Sequence, residues 1–403
     1  MSTAALGMPD PGKDRKGFAV WQELWRGKLR GMLGISLNRV PLASESRGQF
    51  VHNGLVIEKW IFTSERGSRI PAVLYRPETP VESQMPALVM TYGHGGSKSQ
   101  PDYQYPSQVF AKLGIACLAM DPIGEEERHV TGGMGTRAHD PEPVHNQSRA
   151  AGRLIMGKLV WDTMRGVDFL LERADIDPRR LGVSGNSLGG ATAGWMAVLD
   201  SRLRFTIVSG WAFAAATETW GKFCTLVPNR LMRDSGLTWD QYLSLAAPHC
   251  AMRIVNGDAD IIIDQDGSGR AWRDTDRAVA AAANVYAALG SPGGIQTWYE
   301  PGGGHRPYPV RKPNLEWLIQ QVGPAGWTAD KVRALPETNF GQWCRDHEFE
   351  IEPLYGIPLH LLGATVTDLN VIPLKREQLA VLRPEEIGIP ELTIEGWLSQ
   401  VVH

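Results

Sequence analysis

Ser187 stands between glycines in Gly185-Asn186-Ser187-Leu188-Gly189, where residue type and spacing together imply chemistry. A short apolar run, Leu181-Gly182-Val183, leads into this box, and Gly190–Leu199 follows with a helical composition. A serine on a sharp turn between strand and helix exposes its Oγ, provided the positions two before and two after it lack bulk. The first amides of the following helix, and its positive end, point to the same place and can hold an oxyanion. The pattern G-x-S-x-G alone arises by chance in a chain with 44 glycines. In its strand–turn–helix context Ser187 is the expected nucleophile.

A serine hydroxyl needs a histidine to take its proton, and that histidine needs a carboxylate to orient it. For a nucleophile on this kind of turn the chain order is serine, acid, histidine. His249, His305, His347, His360 and His403 follow Ser187, and only the last four leave room for an acid after the next strand. His305 follows the strand-like Gln296–Tyr299 in Glu300-Pro-Gly-Gly-Gly-His305, a glycine-rich loop able to carry an imidazole over a sheet edge. His305 is therefore the expected base; the alternative is a loop histidine with a local hydrogen bond. The acid is sought after the Met252–Asn256 strand, in Gly257-Asp258-Ala259-Asp260. Asp260 is favoured, with Asp258 second because an aspartate beside a turn glycine commonly caps its own backbone. An oxyanion hole needs two N–H donors. They are expected from Leu188 and from Gly96, with Gly95 as second choice, in the Gly93-His94-Gly95-Gly96 loop after Ala87–Tyr92. His94 is read as a structural part of that loop.

Three regions must position these groups: a helical arm at 1–50, a catalytic domain at 51–322 and a C-terminal extension of unassigned role at 323–403. In the arm, Phe18, Trp21, Leu24, Trp25, Leu29, Met32 and Leu33 fall at helical spacing, and its expected role is packing. A lid or dimer contact is the alternative, which leaves room for a homo-oligomer. From residue 54 strands and helices alternate. Val56–Phe62 and Ile70–Tyr75 read as a hairpin; Ala87–Tyr92, Ile115–Met120, Leu181–Ser184, Phe205–Ser209, Met252–Asn256 and Gln296–Tyr299 read as strands. Short continuous apolar runs between helices predict a mainly parallel sheet covered on both faces. The Gly124–Arg149 segment reads as a long functional loop, and the Trp-rich insertion near 211–248 as a cap above the sheet.

Composition narrows the function classes. The 403 residues carry a formal net charge of -3, so no basic field invites nucleic acid. No run of about 18 apolar residues suggests a membrane span, and the first residues lack the pattern of a signal peptide. Four widely spaced cysteines, with no C-x-x-C, argue against a zinc site or a disulfide framework and fit a cytoplasmic setting. No metal and no cofactor are expected, and the expected partner is a small-molecule ester. The 14 tryptophans are expected mainly in the core, some of them lining a cleft or lid.

Residues 55–310 resemble the α/β-hydrolase superfamily, nearest its acetyl xylan esterase and dienelactone hydrolase-like branch. The resemblance rests on Tyr92-Gly-His-Gly-Gly96, Asp121-Pro-Ile-Gly-Glu-Glu-Glu-Arg128, Trp161-Asp-Thr-Met-Arg-Gly-Val-Asp168, Gly185–Gly190, Asn256–Asp260 and Gly304-His-Arg-Pro-Tyr308. It implies that Asp121, Arg128, Arg165 and Asp168 brace the active-site loops, with Glu125–Glu127 left to solvent. A serine where dienelactone hydrolases carry cysteine moves the chain away from that group. The leading expectation is a serine esterase acting on a short acyl group and a polar alcohol. Alternatives are a peptidase or amidase, a C–C bond hydrolase or lyase with the same triad, and a silent hydrolase fold that only binds.

Overall fold

Residues 87–90 show why the apolar runs become strands. Ala87 and Val89 point into one core and Leu88 and Met90 into the other, because successive side chains of a strand face opposite ways. Such strands are buried on both faces, so they read as continuous hydrophobic runs. The computed structural model describes residues 7–219, 222–349 and 365–401. Its first half contains α1 (Arg15–Leu33), β1 (Glu45–His52), β2 (Leu55–Glu65), β3 (Ser68–Pro77), β4 (Met85–Thr91), α2 (Pro101–Lys112), β5 (Ala116–Met120), α3 (Glu142–Ala150) and α4 (Ile155–Leu171). There follow β6 (Ile176–Asn186), α5 (Leu188–Leu199), β7 (Phe205–Ser209), α6 (Phe223–Asp234), α7 (Trp239–Ser244), β8 (Ala251–Gly257), α8 (Arg270–Ala288), β9 (Ile295–Glu300) and α9 (Lys312–Val322).

The sheet order is β1-β2-β3-β5-β4-β6-β7-β8-β9. Pairing is antiparallel from β1 to β3 and between β3 and β5, and parallel from β5 through β9. The expected mainly parallel α/β sheet is present. The chain runs outward from β4 to β5 and then returns to β6 on the other side of β4. Ligands of open α/β sheets bind at such a reversal, beyond the carboxyl ends of the strands. The loop after β4 and the turn after β6 meet there.

The arm is built into the main core. Asp14 caps α1 by accepting the Gly17 amide at 2.8 Å, and Gly34 ends it in a left-handed conformation. Phe18, Trp21, Trp25, Leu29 and Leu33 are buried, whereas the expected face member Leu24 is exposed. Two polar side chains on the buried face hold carbonyls near the end of the cap. Gln22 Nε2 donates to the carbonyls of Ser244, Leu245 and Ala247, and Arg26 to those of Val198 and Leu245. The anticipated boundary at residue 50 falls inside β1, which pairs with β2.

Buried charge organises the region that looked like an open loop. Lys98 is fully buried, with Nζ 2.5 Å from Asp121, 3.1 Å from Glu126 and 2.7 Å from Glu127. Burial and the adjacent Glu126 carboxylate push the Asp121 carboxyl well up, so it can keep a proton in a site rich in carboxylates. The expectation that Glu125–Glu127 are solvated is corrected: all three are buried. Their apolar neighbours exclude water, and Lys98 supplies the counter-charge for Glu126 and Glu127. Arg128 continues the network to Asp162 at 2.8 Å, and Lys158 joins Asp162 to Glu65. Arg165 and Asp168 brace a different place: with Arg39 and the Val40 carbonyl they fix the exit of the arm.

The C-terminal segment contains α10 (Ala329–Arg333), β10 (Glu337–Asn339), α11 (Phe340–Asp346), β11 (Thr365–Thr367), α12 (Arg376–Leu379) and α13 (Ile394–Val401). Residues 350–364 of this extension lie outside the described residues. The rest is anchored to the domain by polar groups. Glu127 accepts the amides of Val381 and Leu382 at 2.8 and 2.7 Å, and Tyr105 donates to the Thr367 carbonyl. Trp397 Nε1 donates to Glu65 at 3.0 Å.

Two stability predictions arise from these buried groups. Lys98→Met leaves its carboxylates unpaired, which is expected to cost about 3–5 kcal/mol in urea unfolding; an unchanged midpoint would show that the cluster is not stabilising. His249 donates Nε2–H to the Ala197 carbonyl at 3.1 Å, while Arg26 faces its Nδ1 at 3.4 Å. Burial, reinforced by Arg26, pushes this imidazole down to about 4 from 6.5. The unfolded chain then binds a proton first, so this contribution is complete above pH 6.5, falls as pH drops towards 4, and is flat below. His249→Gln is expected to reduce the pH slope of unfolding free energy in that window by up to about 1.4 kcal/mol per pH unit. An unaltered slope would remove His249 as the source.

Candidate active site

Ser187 occupies the turn with φ 58° and ψ −118°. A β-carbon in this region is strained by about 1–3 kcal/mol, so the surroundings must hold it there. The Ser187 amide donates to the Ser209 carbonyl at 2.9 Å, and the Ser187 carbonyl accepts from Ala191 at 2.9 Å. Thr91, on neighbouring β4, donates its hydroxyl to the Gly189 carbonyl at 2.8 Å. This approach is so close that a Cβ at Gly185 would overlap Thr91 and Gly189, and one at Gly189 would overlap the Thr91–Tyr92 backbone. Leu188 is the first residue of α5, and its N–H has no acceptor within the helix.

The acid and base come from the ends of the next strands. His305 Nδ1 lies 2.7 Å from Asp260 Oδ2, and Asp260 is buried. The other carboxylate oxygen accepts the amides of Ile262 and Ile263 at 2.9 and 3.2 Å, which fixes its orientation. Asp258 is exposed and accepts the Gly302 amide at 2.6 Å. With Nδ1 facing a carboxylate, the ring carries its proton there and keeps a lone pair on Nε2. Ser209 joins the two halves. Its carbonyl holds the Ser187 amide, while its hydroxyl donates to the Arg306 carbonyl at 3.3 Å and accepts the Tyr308 amide at 3.1 Å.

The loop after β4 requires one correction. The Gly96 amide donates to the Gly93 carbonyl at 2.9 Å, closing the loop on itself, so it is not the second oxyanion donor. The Gly93 amide is also engaged, donating to the Tyr103 hydroxyl at 2.7 Å. Among the described residues no acceptor meets the amides of His94 or Gly95. A Cβ on Gly93 would lie 3.3 Å from the Ser187 Cβ, so this part of the loop runs directly beside the serine.

Residues 21–213, just under half of the chain, match the model of the acetyl xylan esterase family. The sheet order and the strained serine agree with that match. The chain has the α/β-hydrolase fold. Its sequence is 26% identical to YtaP of Bacillus subtilis, assigned as a hydrolase, over 45% of this chain and 62% of that protein. The chain spans less than two thirds of the length of the curated relatives it matches. A structure from Bacteroides fragilis assigned as an acetyl xylan esterase superposes with TM-score 0.57 at 17% identity, covering 71% of this chain and 76% of that one. A glucuronoyl esterase from Solibacter usitatus gives 0.54 at 15% identity, covering 77% and 94%. These likenesses show the shared fold.

The insertion after β7 packs beside the oxyanion loop. The Cys224 Sγ on α6 lies 2.7 Å from His94 Nε2, and Phe223 tilts against His145 on α3 at 5.7 Å between ring centroids. The tryptophans expected at the mouth are mostly packing residues: Trp211 and Trp239 are buried with the main core. On α3, Asn146 and Arg149 are exposed, whereas His145 is buried. Thr91, Ser209 and Tyr103 support the site yet escaped the sequence reading, because ordinary strand and helix residues carry no spacing signal.

The two aspartates make a discriminating pair. Asp260→Asn is expected to lower turnover by about 10⁴-fold, as loss of an orienting carboxylate does elsewhere, while Asp258→Asn stays within tenfold. Steady-state kinetics on both folded variants checks this, and a larger loss at Asp258 would reverse the assignment.

Proposed function

We propose that this protein is a serine carboxylic ester hydrolase that works through an acyl-enzyme on Ser187. The observation that carries the reading is the His305–Asp260 pair at 2.7 Å, held across Ser209 from a serine in a strained turn. Ser187 Oγ attacks the ester carbonyl while His305 Nε2 takes its proton, and Asp260 stabilises the resulting imidazolium. The developing oxyanion is held by the amides of Leu188 and of His94, the free donor next to Gly93. The imidazolium protonates the leaving alkoxide. Water then enters, gives a proton to His305 and releases the acid. Preorganised donors of this kind each contribute roughly 10²–10³ in rate.

A short acyl group on a polar alcohol is the substrate class we favour. The contact between Cys224 and His94 brings α6 down onto the oxyanion loop, which restricts the depth available to an acyl chain. The match to the acetyl xylan esterase family supports the same choice. Among the described residues no helix is long and apolar enough to cross a membrane. The four cysteines are free and buried, which supports the cytoplasm as the working compartment.

Treatment with an organophosphonate is expected to add one label per chain, visible by intact-mass spectrometry and absent in Ser187→Ala. Across p-nitrophenyl esters, kcat/KM is expected to be higher for acetyl to butyryl than for chains of about ten carbons, because extra methylenes help only where a groove receives them. A label that persists in the variant would overturn the nucleophile. Faster cleavage of decanoyl esters would overturn the acyl preference, and faster cleavage of an anilide would favour an amidase.

A further inference from the structure

Beside the oxyanion loop, His94, His139 and Asp140 bring one ligand atom each within 4.8 Å of one another. Asp140 Oδ1 is 3.3 Å from His94 Nε2 and 3.4 Å from His139 Nε2. Two atoms bound to one zinc ion at about 2.0–2.1 Å, at the tetrahedral angle, lie about 3.3–3.4 Å apart. The spacing therefore matches a shared ion.

The hydrogen bonding gives an independent reason. His139 is fully buried, and neither ring nitrogen has a partner in hydrogen-bonding geometry; both oxygens of Asp140 also lack a donor. Leaving such groups unsatisfied costs about 1–3 kcal/mol each, so native proteins rarely collect them in one place.

We propose that His94 Nε2, His139 Nε2 and an Asp140 carboxylate oxygen bind one divalent transition-metal ion of the zinc class, with water in the fourth position. Two imidazoles and one carboxylate suit that class better than magnesium or calcium, which prefer oxygen ligands. The ion ties the loop carrying the His94 amide to the segment between β5 and α3, and so fixes one wall of the site. The Cys224 thiol now contacts His94 Nε2, so metal entry must displace it. Residues 94, 139 and 140 form no short-spaced motif, which is why the sequence reading expected no metal.

The test uses zinc ion alone, added to the full chain after treatment with a chelator and desalting. Calorimetry and elemental analysis are expected to find one equivalent in the wild type. His139→Ala and Asp140→Asn are expected to weaken binding by more than the roughly 10–100-fold that an outer-shell change costs. Cys224→Ala is expected to retain the equivalent. Should the ligand variants fail to fold, cobalt(II) in the wild type is expected to give the intense visible bands of a four-coordinate site. Failure to take up an equivalent, equal affinity in the ligand variants, loss in Cys224→Ala, or a weak octahedral cobalt spectrum would each overturn the proposal.

Discussion

Everything at the site depends on holding Ser187 at positive φ. The turn is stable only because β4 and β6 approach closely enough for Thr91 to bond the Gly189 carbonyl. That approach removes the space for side chains at Gly185 and Gly189, so the glycines of the box are a steric consequence of the strain. On the other side, Ser209 spends its carbonyl on the Ser187 amide and its hydroxyl on the segment just after His305. One residue at the end of β7 thus couples the nucleophile to the loop of its base. Nucleophile and base loop are thus tied by the backbone pairing of β6 and β7 together with the Ser209 hydroxyl.

Rigidity behind the site comes from buried charge. Lys98 sits just past the oxyanion loop, and its carboxylate partners Asp121, Glu126 and Glu127 begin the following loop. Glu127 then reaches the amides of Val381 and Leu382, so the C-terminal segment helps hold this ionic core. Ion pairs of this kind add little net stability, since desolvation offsets much of their attraction. Their value lies in geometry: a loop pinned by several charge-assisted bonds has few alternative positions. Apolar packing does the complementary work at the arm and cap, where Trp21, Trp25, Trp239 and Tyr242 share one core.

The legible part of the sequence was whatever had a period or a short spacing. Strand runs such as Phe205–Ser209, the glycine-flanked Ser187, and the serine–acid–histidine order all express local constraints, and the strand registers follow from them. Asp260 could be preferred over Asp258 because one extra step beyond a turn changes which way a side chain reaches. Gly96 misled because the loop bonds to itself through an i to i+3 turn, and composition cannot say which glycine amide turns inward. The acidic run at Glu125–Glu127 misled for a related reason. Its counter-charge, Lys98, lies more than twenty residues earlier, and only the fold brings them together.

The neutral cluster of His94 and His139 also bears on the chemistry proposed for His305. An imidazolium must form on His305 during both acylation and deacylation, and a fixed positive charge nearby would raise the cost of forming it. His305 is among the charges that act on His94, so the two rings belong to one electrostatic neighbourhood. Burial disfavours a charge on His94, whose backbone N–H stays available to an oxyanion. Burial likewise pushes the Asp140 carboxyl up to about 6. A dication held by the proposed ligands would order the oxyanion loop and at the same time place fixed positive charge near the imidazolium that acylation requires, two opposed effects that follow from setting those groups on the segments that frame the nucleophile.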